Sequence, residues 1–235
     1  MPKTYVEFNL NLERENELDK AVFFAQHMDY KDIVVNNDKE FLKFKDFPEP
    51  LEIQGIKFYR KVILTGVIKN MQKQLSKERF KNHVVMVKPI SAKEATWAVL
   101  QPMIDGLFLS ADLSGRETWD NVASLLNKHG KIVEFDMSPL VFCSEKELSR
   151  ILRTYIRLLQ PLNPNKHRIV LSSGGSGVWG LRRAKAIRGL SKAFGLGLQY
   201  TGYSMSVYPR QLIKNNIEKL RPNYLGGGVW VIKDE

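Results

Sequence analysis

HRIVLSSGGSGVWGLRRAKAIRGLSKAFGL, from His167 to Leu196, holds a whole strand–turn–helix unit. Arg168–Ser172 is a short run of apolar, largely β-branched residues, which predicts a buried strand. Serine and glycine from Ser173 to Gly177 break it, and from Leu181 to Phe194 apolar residues return at helical spacing. The same order recurs along the chain. Strands are predicted at Tyr5–Leu10, Asp32–Val35, Phe58–Leu64, Val84–Lys88, Gly106–Ser110, Lys131–Asp136 and Arg168–Ser172, with one more at Val229–Ile232. Helices are predicted at Glu15–His27, Gly66–Asn82, Ala92–Gln101, Glu117–Lys128, Ser144–Gln160, Leu181–Phe194 and Ser204–Leu220, the last interrupted at Pro209. Residues 36–56, with Pro48 and Pro50, carry no clear pattern. Repeated strand–helix units imply parallel strands joined by right-handed crossovers. Seven or eight such units in 235 residues fit a (β/α) barrel better than an open sheet, since such barrels take about 250 residues. The expected fold is therefore α/β, a distorted or incomplete TIM-like barrel, with residues 1–235 as a single domain.

Two strands alternate in an unusual way. In KIVEFDM (Lys131–Met137), Glu134 and Asp136 share one face, with Val133, Phe135 and Met137 on the other. In YVEFN (Tyr5–Asn9), Tyr5, Glu7 and Asn9 oppose Val6 and Phe8. Outer helices cover the apolar face, so the carboxylates are expected inside the barrel. Barrel enzymes work at the carboxyl ends of their strands, and Lys88 among Glu134 and Asp136 suits Schiff-base chemistry. A phosphate-binding lyase or aldolase is thus one functional reading; a structural network of ion pairs is the other. The turn SSGGSG (Ser172–Gly177) matches neither a Walker loop nor a dinucleotide fingerprint. It is either a loop that lets backbone approach a ligand closely or a tight turn.

Charge separates the readings further. Of 36 Lys and Arg and 25 Asp and Glu, residues 151–235 hold 14 and 3, leaving 22 of each sign in residues 1–150. The whole net charge of +11 therefore lies in the last third, and residues 148–217 contain no acidic side chain. A polyanion such as nucleic acid offsets that asymmetry. On the predicted helices, Arg182, Lys185, Arg188 and Lys192 fall on one face, opposite Ile187, Leu190 and Phe194. Arg150, Arg153 and Arg157 repeat the design on the preceding helix, and consecutive barrel helices are neighbours. Arg210 and Lys214, one turn apart, extend the patch. Trp179, Tyr200, Tyr203 and Tyr208 stand nearby as rings on which unpaired bases stack.

Other classes are disfavoured. The single cysteine, Cys143, makes no internal disulfide or cysteine zinc site, and no run reaches the roughly 18 apolar residues of a membrane span. The strand pattern begins at once, without a signal peptide, so a cytoplasmic protein is expected. The four histidines, His27, His83, His129 and His167, are scattered, so no metal site and no protein-bound cofactor are expected.

Three blocks give the chain a family likeness. IVEFDMSPLV (Ile132–Val141), the strand–turn–helix block ending at Leu196, and SMSVYPRQLIKNN (Ser204–Asn216) resemble archaeal ribonuclease P protein component 3, with a closing GVWVIK that also fits. Where members often begin the helix after the Ser-Ser turn with Arg-x-Pro-x-Asp, this chain has Leu181-Arg182-Arg183-Ala184-Lys185; where they tend to have Asp-His-Val, it has Asp120-Asn121-Val122. The resemblance implies a barrel of the polymerase-and-histidinol-phosphatase type without its metal ligands. It implies a subunit of ribonuclease P, the endoribonuclease that removes the 5′ leader of precursor tRNA. In that particle the RNA, with its own Mg²⁺, performs the chemistry, and no residue of the protein is catalytic. The implied partners are the ribonuclease P RNA, protein component 2 in a heterotetramer, and precursor tRNA indirectly. The RNA-facing portion is placed in 148–217: Arg150, Arg153, Arg157, Ser172, Ser173, Gly174, Arg182, Arg183, Lys185, Arg188, Lys192, Arg210 and Lys214.

Overall fold

The computed structural model describes residues 4–12, 14, 16–36, 47–111, 113, 119–174, 177–221, 224–226 and 229–230. Seven parallel strands carry the fold: β1 (Tyr5–Leu10), β2 (Tyr30–Asn36), β4 (Ile56–Leu64), β5 (Val84–Val87), β6 (Gly106–Leu109), β7 (Ile132–Asp136) and β8 (Arg168–Ser172). Each pairs with the next in that order. They are the seven strands that the alternation predicts. One strand is added where the sequence is unreadable: β3 (Leu51–Ile53) pairs antiparallel with β4 through Gln54 and Gly55, both at positive φ, as a two-residue hairpin turn requires. The predicted last strand falls outside the barrel. Val229–Trp230 (β10) pairs with Tyr224–Gly226 (β9), and residues 231–232 lie outside the described residues.

Helices α1 (Glu17–His27), α2 (Ile68–Glu78), α3 (Ala92–Leu100), α4 (Asp120–Lys128), α6 (Glu145–Leu159) and α7 (Ala184–Ser191) follow β1, β4, β5, β6, β7 and β8, with a short α5 (Ser138–Phe142) between β7 and α6. Residues 117–118 of the predicted fourth helix lie outside the described residues. The last predicted helix is α9 (Val207–Leu220), uninterrupted, because Pro209 sits in its first turn, where its missing N–H breaks no helical bond; α8 (Leu198–Ser204), which precedes it, is an additional helix. Among the described residues no helix is long and apolar enough to cross a membrane.

Apolar side chains form two layers. The outer one, including Tyr5, Ile33, Val133, Phe135 and Ile169, lies between strands and helices. The inner one fills the barrel with Val6, Phe8, Val34, Tyr59, Met86, Phe108, Ile132 and Val170, and Ile213 of α9 closes it from the amino-terminal mouth. In β6, Gly106 is dictated by packing: a Cβ there would stand 2.2 Å from the Ile132 carbonyl oxygen of β7.

The barrel is open between β8 and β1, and other parts of the chain supply what a strand would. The Val6 amide donates to the Met205 carbonyl at the α8–α9 corner (2.7 Å). The Tyr200 hydroxyl accepts from the Ile169 amide (3.0 Å) and donates to the His167 carbonyl (2.8 Å). Edge groups are thereby satisfied without an eighth barrel strand. The seam also corrects the expected orientation of β1. Val6 and Phe8 face the interior, while the buried Glu7 meets Ser173 in the turn after β8, so it needs no interior counter-charge.

Candidate nucleic-acid interface

The turn after β8 is built on buried charge. Lys61 in β4 and Glu134 in β7 are wholly buried; the ammonium donates to both carboxylate oxygens at 2.8 and 2.6 Å and to the Phe8 carbonyl at 2.9 Å. The rings of Phe8 and Phe108 flank Nζ at 4.9 and 5.4 Å. Ser172 donates its hydroxyl to Glu134 (2.8 Å). Burial pushes the Glu134 carboxyl up to about 7, against the pull of Lys61 and Ser172, and lowers Lys61 against the pull of Glu134. Burial also raises Asp136, opposed by the Ser138 amide bound to its Oδ1 at 2.8 Å. The buried lysine is therefore Lys61, not Lys88; Lys88 is only half-buried and acts on Asp136 through its charge. Lys61 was legible as a lysine on the inward alternation of an apolar strand, between Tyr59 and Ile63. Of the proposed lyase group, Glu134 is therefore bonded to Lys61, and Lys88 lies beside Asp136.

Ser172 and Ser173 are likewise turned onto buried carboxylates. Ser173 donates its amide to Glu7 (3.1 and 3.3 Å) and its hydroxyl to the same carboxylate (2.6 Å). Gly174 has φ +64°, and a Cβ there would lie 1.6 Å from Asp136 Oδ1. The Gly177 amide then donates to the Asn11 carbonyl (2.6 Å). Expected as phosphate ligands, Ser172 and Ser173 are instead the latch that fixes the turn, because their donors face buried carboxylates. Gly174 is half-buried against Asp136, and residues 175–176 lie outside the described residues.

Beyond the turn, Val178–Gly180 form one 3-10 turn before α7, and Lys192–Phe194 form another after it. It is this second turn, rather than α7 itself, that packs on α6: the ring of Tyr155 meets that of Phe194 edge-on at 5.7 Å. Arg150, Arg153 and Arg157 on α6, Arg183 and Lys185 at the start of α7, and Lys192 at its end are exposed. Glu147, the last acid before the basic stretch, is spent on the N-terminus of α6, where it accepts from the Ser144 amide (3.0 Å) and hydroxyl (2.8 Å).

Arg153 donates to the Ser149 carbonyl (3.2 Å) and Arg157 to the Leu113 carbonyl (3.4 Å), and three further expected members have partners that draw them off the face. Arg188 is 8% exposed and donates to the Tyr5 hydroxyl and the Leu198 carbonyl, both at 3.0 Å. The buried stripe of α7 is Ala184, Ile187, Arg188 and Ser191; a reading that counts only large apolar residues misses the two small ones and rotates the helix. Arg182, half-buried, donates to the Trp179 and Leu181 carbonyls (2.7 and 2.9 Å). Arg210 pairs with Asp32 (2.8 Å) and Thr4, clamping α9 across the amino-terminal mouth. Lys214 is exposed beside it and lines a cavity of about 770 Å³ with Lys31, Lys57, Glu49 and Glu218. These two belong to that mouth rather than to the α6–α7 face. Of the expected stacking rings, Tyr200 serves the seam, Tyr208 is half-buried, and Tyr203 and Trp179 are exposed.

Two of the histidines are buried in the structure's own hydrogen-bond network. His83 accepts from the Arg60 amide (2.9 Å) and shares a hydrogen bond with the Pro48 carbonyl (2.8 Å), and His167 bridges Asn163 and Ala123. Among the described residues no group of three or more His, Cys, Asp or Glu side chains is placed to hold a metal ion.

These features define an α/β barrel whose interior is closed by its own side chains and whose free charge lies outside. The family model for RNase P subunit p30 matches residues 4–221, and the chain belongs to that family. No curated protein matches it. A solved structure described as a cryo-EM structure of archaeal ribonuclease P with mature tRNA contains a chain similar in fold, with a TM-score of 0.75 and 17% identity over 98% of this chain and 99% of that one.

Proposed function

We propose that this chain is a non-catalytic subunit of an archaeal ribonuclease P, binding and stabilising the RNA that cleaves the 5′ leader from precursor tRNA. The observation that carries the reading is the outer face of α6 and α7, linked through the 3-10 turn after α7, with six exposed cations and no acid after Glu147. Arginine gives phosphate bidentate contacts, and acid-free spacing leaves each cation available to a backbone phosphate. Family membership supports the particle, and the sealed Lys61–Glu134 interior supports a role other than catalysis by this chain. In this reading Mg²⁺ belongs to the RNA, protein component 2 is the partner in a heterotetramer, and the particle is cytoplasmic.

The test is reconstitution. Precursor-tRNA cleavage at limiting Mg²⁺ is followed with ribonuclease P RNA and component 2, with and without this chain. The chain is expected to raise the rate. Arg183→Ala with Lys185→Ala is expected to weaken RNA binding and flatten log K against log salt by about 0.7–0.9 for each phosphate that is no longer neutralised. An unchanged slope would remove α7 from the interface; no rate effect and no RNA binding would end the reading.

A further inference from the structure

A band of planar side chains crosses the surface beside the turn after β8. In α1, His27 and Phe23 have ring centroids 4.2 Å apart, and Phe23 meets Phe24 edge-on at 5.7 Å. Phe24 meets Trp179 at 5.4 Å. Arg182, anchored to the Trp179 carbonyl, lays its guanidinium 5.0 Å from the ring centroid of Phe142, the last residue of α5. Three of the rings are largely in water: Trp179 is 70% exposed, Phe142 62% and Phe23 56%. Neighbouring large apolar rings left this open mark a contact surface rather than core.

The chemistry of the band narrows what covers it. Every member is flat, and its one charged member, Arg182, is anchored by two backbone carbonyls. Flat π-faces and a guanidinium plane are what unpaired bases stack on. The flanks are cationic: Arg183 and Lys185 are exposed on one side, and Lys20 is exposed one turn before Phe23 and Phe24 on the other. Of the acids in the first turn of α1, Glu17 accepts from the Arg14 amide at 3.3 Å and Asp19 is exposed.

We propose that this band is a stacking platform for unpaired nucleotides of the RNA, continuous with the phosphate-binding start of α7. It rests on the RNA-binding reading above and adds to it a preference for single strands over duplex. Base–aromatic stacking contributes about 1–3 kcal/mol per base, which is about tenfold in affinity for one missing platform and more for two.

Anisotropy titrations of the full chain against a labelled single-stranded oligoadenylate and an RNA duplex of equal length test it at matched salt. Trp179→Ala with Phe142→Ala is expected to weaken the single-stranded complex at least about tenfold, leave the duplex within about twofold, and leave the salt slope unchanged. Trp179→Phe is expected to retain most of the affinity. Unchanged single-strand affinity, or an equal loss for both RNAs, overturns the platform. So does unchanged RNA affinity combined with failure of the variant to enter the particle with its protein partner, which would make the band a protein contact. If the band variants are neutral while Arg183→Ala with Lys185→Ala still flattens the salt slope, only the platform falls. If the wild-type chain binds neither RNA, the RNA-binding reading falls and takes the platform with it.

Discussion

Lys61→Met is the perturbation that best tests how the barrel is held together. Methionine keeps an unbranched apolar stem of similar length among the rings of Phe8 and Phe108, so the change in packing is small. What disappears is an ammonium that makes three hydrogen bonds, two to Glu134 and one to the Phe8 carbonyl. Removing one partner of a buried ion pair costs about 3–5 kcal/mol, because the other charge is left without compensation. Glu134 already leans toward its protonated form through burial, which places the loss near the lower end. The orphaned Phe8 carbonyl adds about 1 kcal/mol. The expected total is about 4 kcal/mol, or a fall in Tm of about 8–16 °C for a chain of this size. Replacing both partners, Lys61→Met with Glu134→Leu, removes the stranded carboxylate and leaves only Phe8 and the Ser172 hydroxyl short of a partner. The double variant is therefore expected to be more stable than the single one, with a coupling of at least about 2 kcal/mol. Urea unfolding with an unchanged m-value gives both numbers. A single-variant loss below about 1 kcal/mol, or strictly additive losses, would refute the reasoning.

Gly174→Ala is expected to cost about 2–3 kcal/mol in urea unfolding, from positive φ and from expelling the Asp136 carboxylate that the Ser138 amide holds; an unchanged midpoint would mean that the turn does not sit on Asp136. His83, whose pKa burial lowers to about 4, refuses a proton that the unfolded chain accepts below 6.5, so its contribution is present above pH 6.5 and is lost as pH falls toward 4. The loss is about 1.4 kcal/mol per unit and about 3 kcal/mol in all, and urea midpoints across that window should flatten in His83→Gln relative to the wild type; parallel curves would show that His83 is not the group. Arg188→Ala is expected to lower Tm while leaving the salt slope of RNA binding unchanged, and Lys185→Ala to do the reverse, since one side chain is buried on Tyr5 and the other is exposed; matching behaviour would mean that the two share a role.

The strands were legible because most are short, largely apolar runs between turn or helix signals, as strands of a parallel sheet buried on both faces are. The hairpin at Leu51–Ile56 was not, because its strand is short and its turn uses Gln54 and Gly55 rather than a familiar pair. Helix positions were legible, but rotation was not. Ala184 and Ser191 are too small to weigh in a hydrophobic count, yet they set the buried side of α7 and pull Arg188 in with them. The inward carboxylates of β7 were readable from alternation alone. The pairing of Glu134 with the inward Lys61 was not, because the two meet across the barrel, 73 residues apart. Serines of a glycine-rich turn look the same in sequence whether they face phosphate or a buried acid; only the placement of Glu7 and Glu134 distinguishes the two.

That placement links the interior to the surface. Barrel enzymes keep the carboxyl ends of their strands open to substrate. Here Glu7, Glu134 and Asp136 meet the turn after β8, through Ser173, Ser172 and Gly174 respectively. Glu7 and Glu134 each bind one serine there, and Asp136 packs against Gly174. The chain leaving that turn is held again, by Asn11 at Gly177 and by the Tyr30 hydroxyl at the Arg182 carbonyl (2.7 Å). Arg183 and Lys185 follow at once, so their backbone is ordered before any ligand arrives. A cation on a fixed element loses only side-chain freedom on binding, about 0.5–1.5 kcal/mol, whereas one on a loose loop loses backbone freedom as well. The buried acids thus act on the proposed RNA surface through the stiffness of the turn, and disturbing Gly174 should weaken RNA binding without removing a single exposed charge.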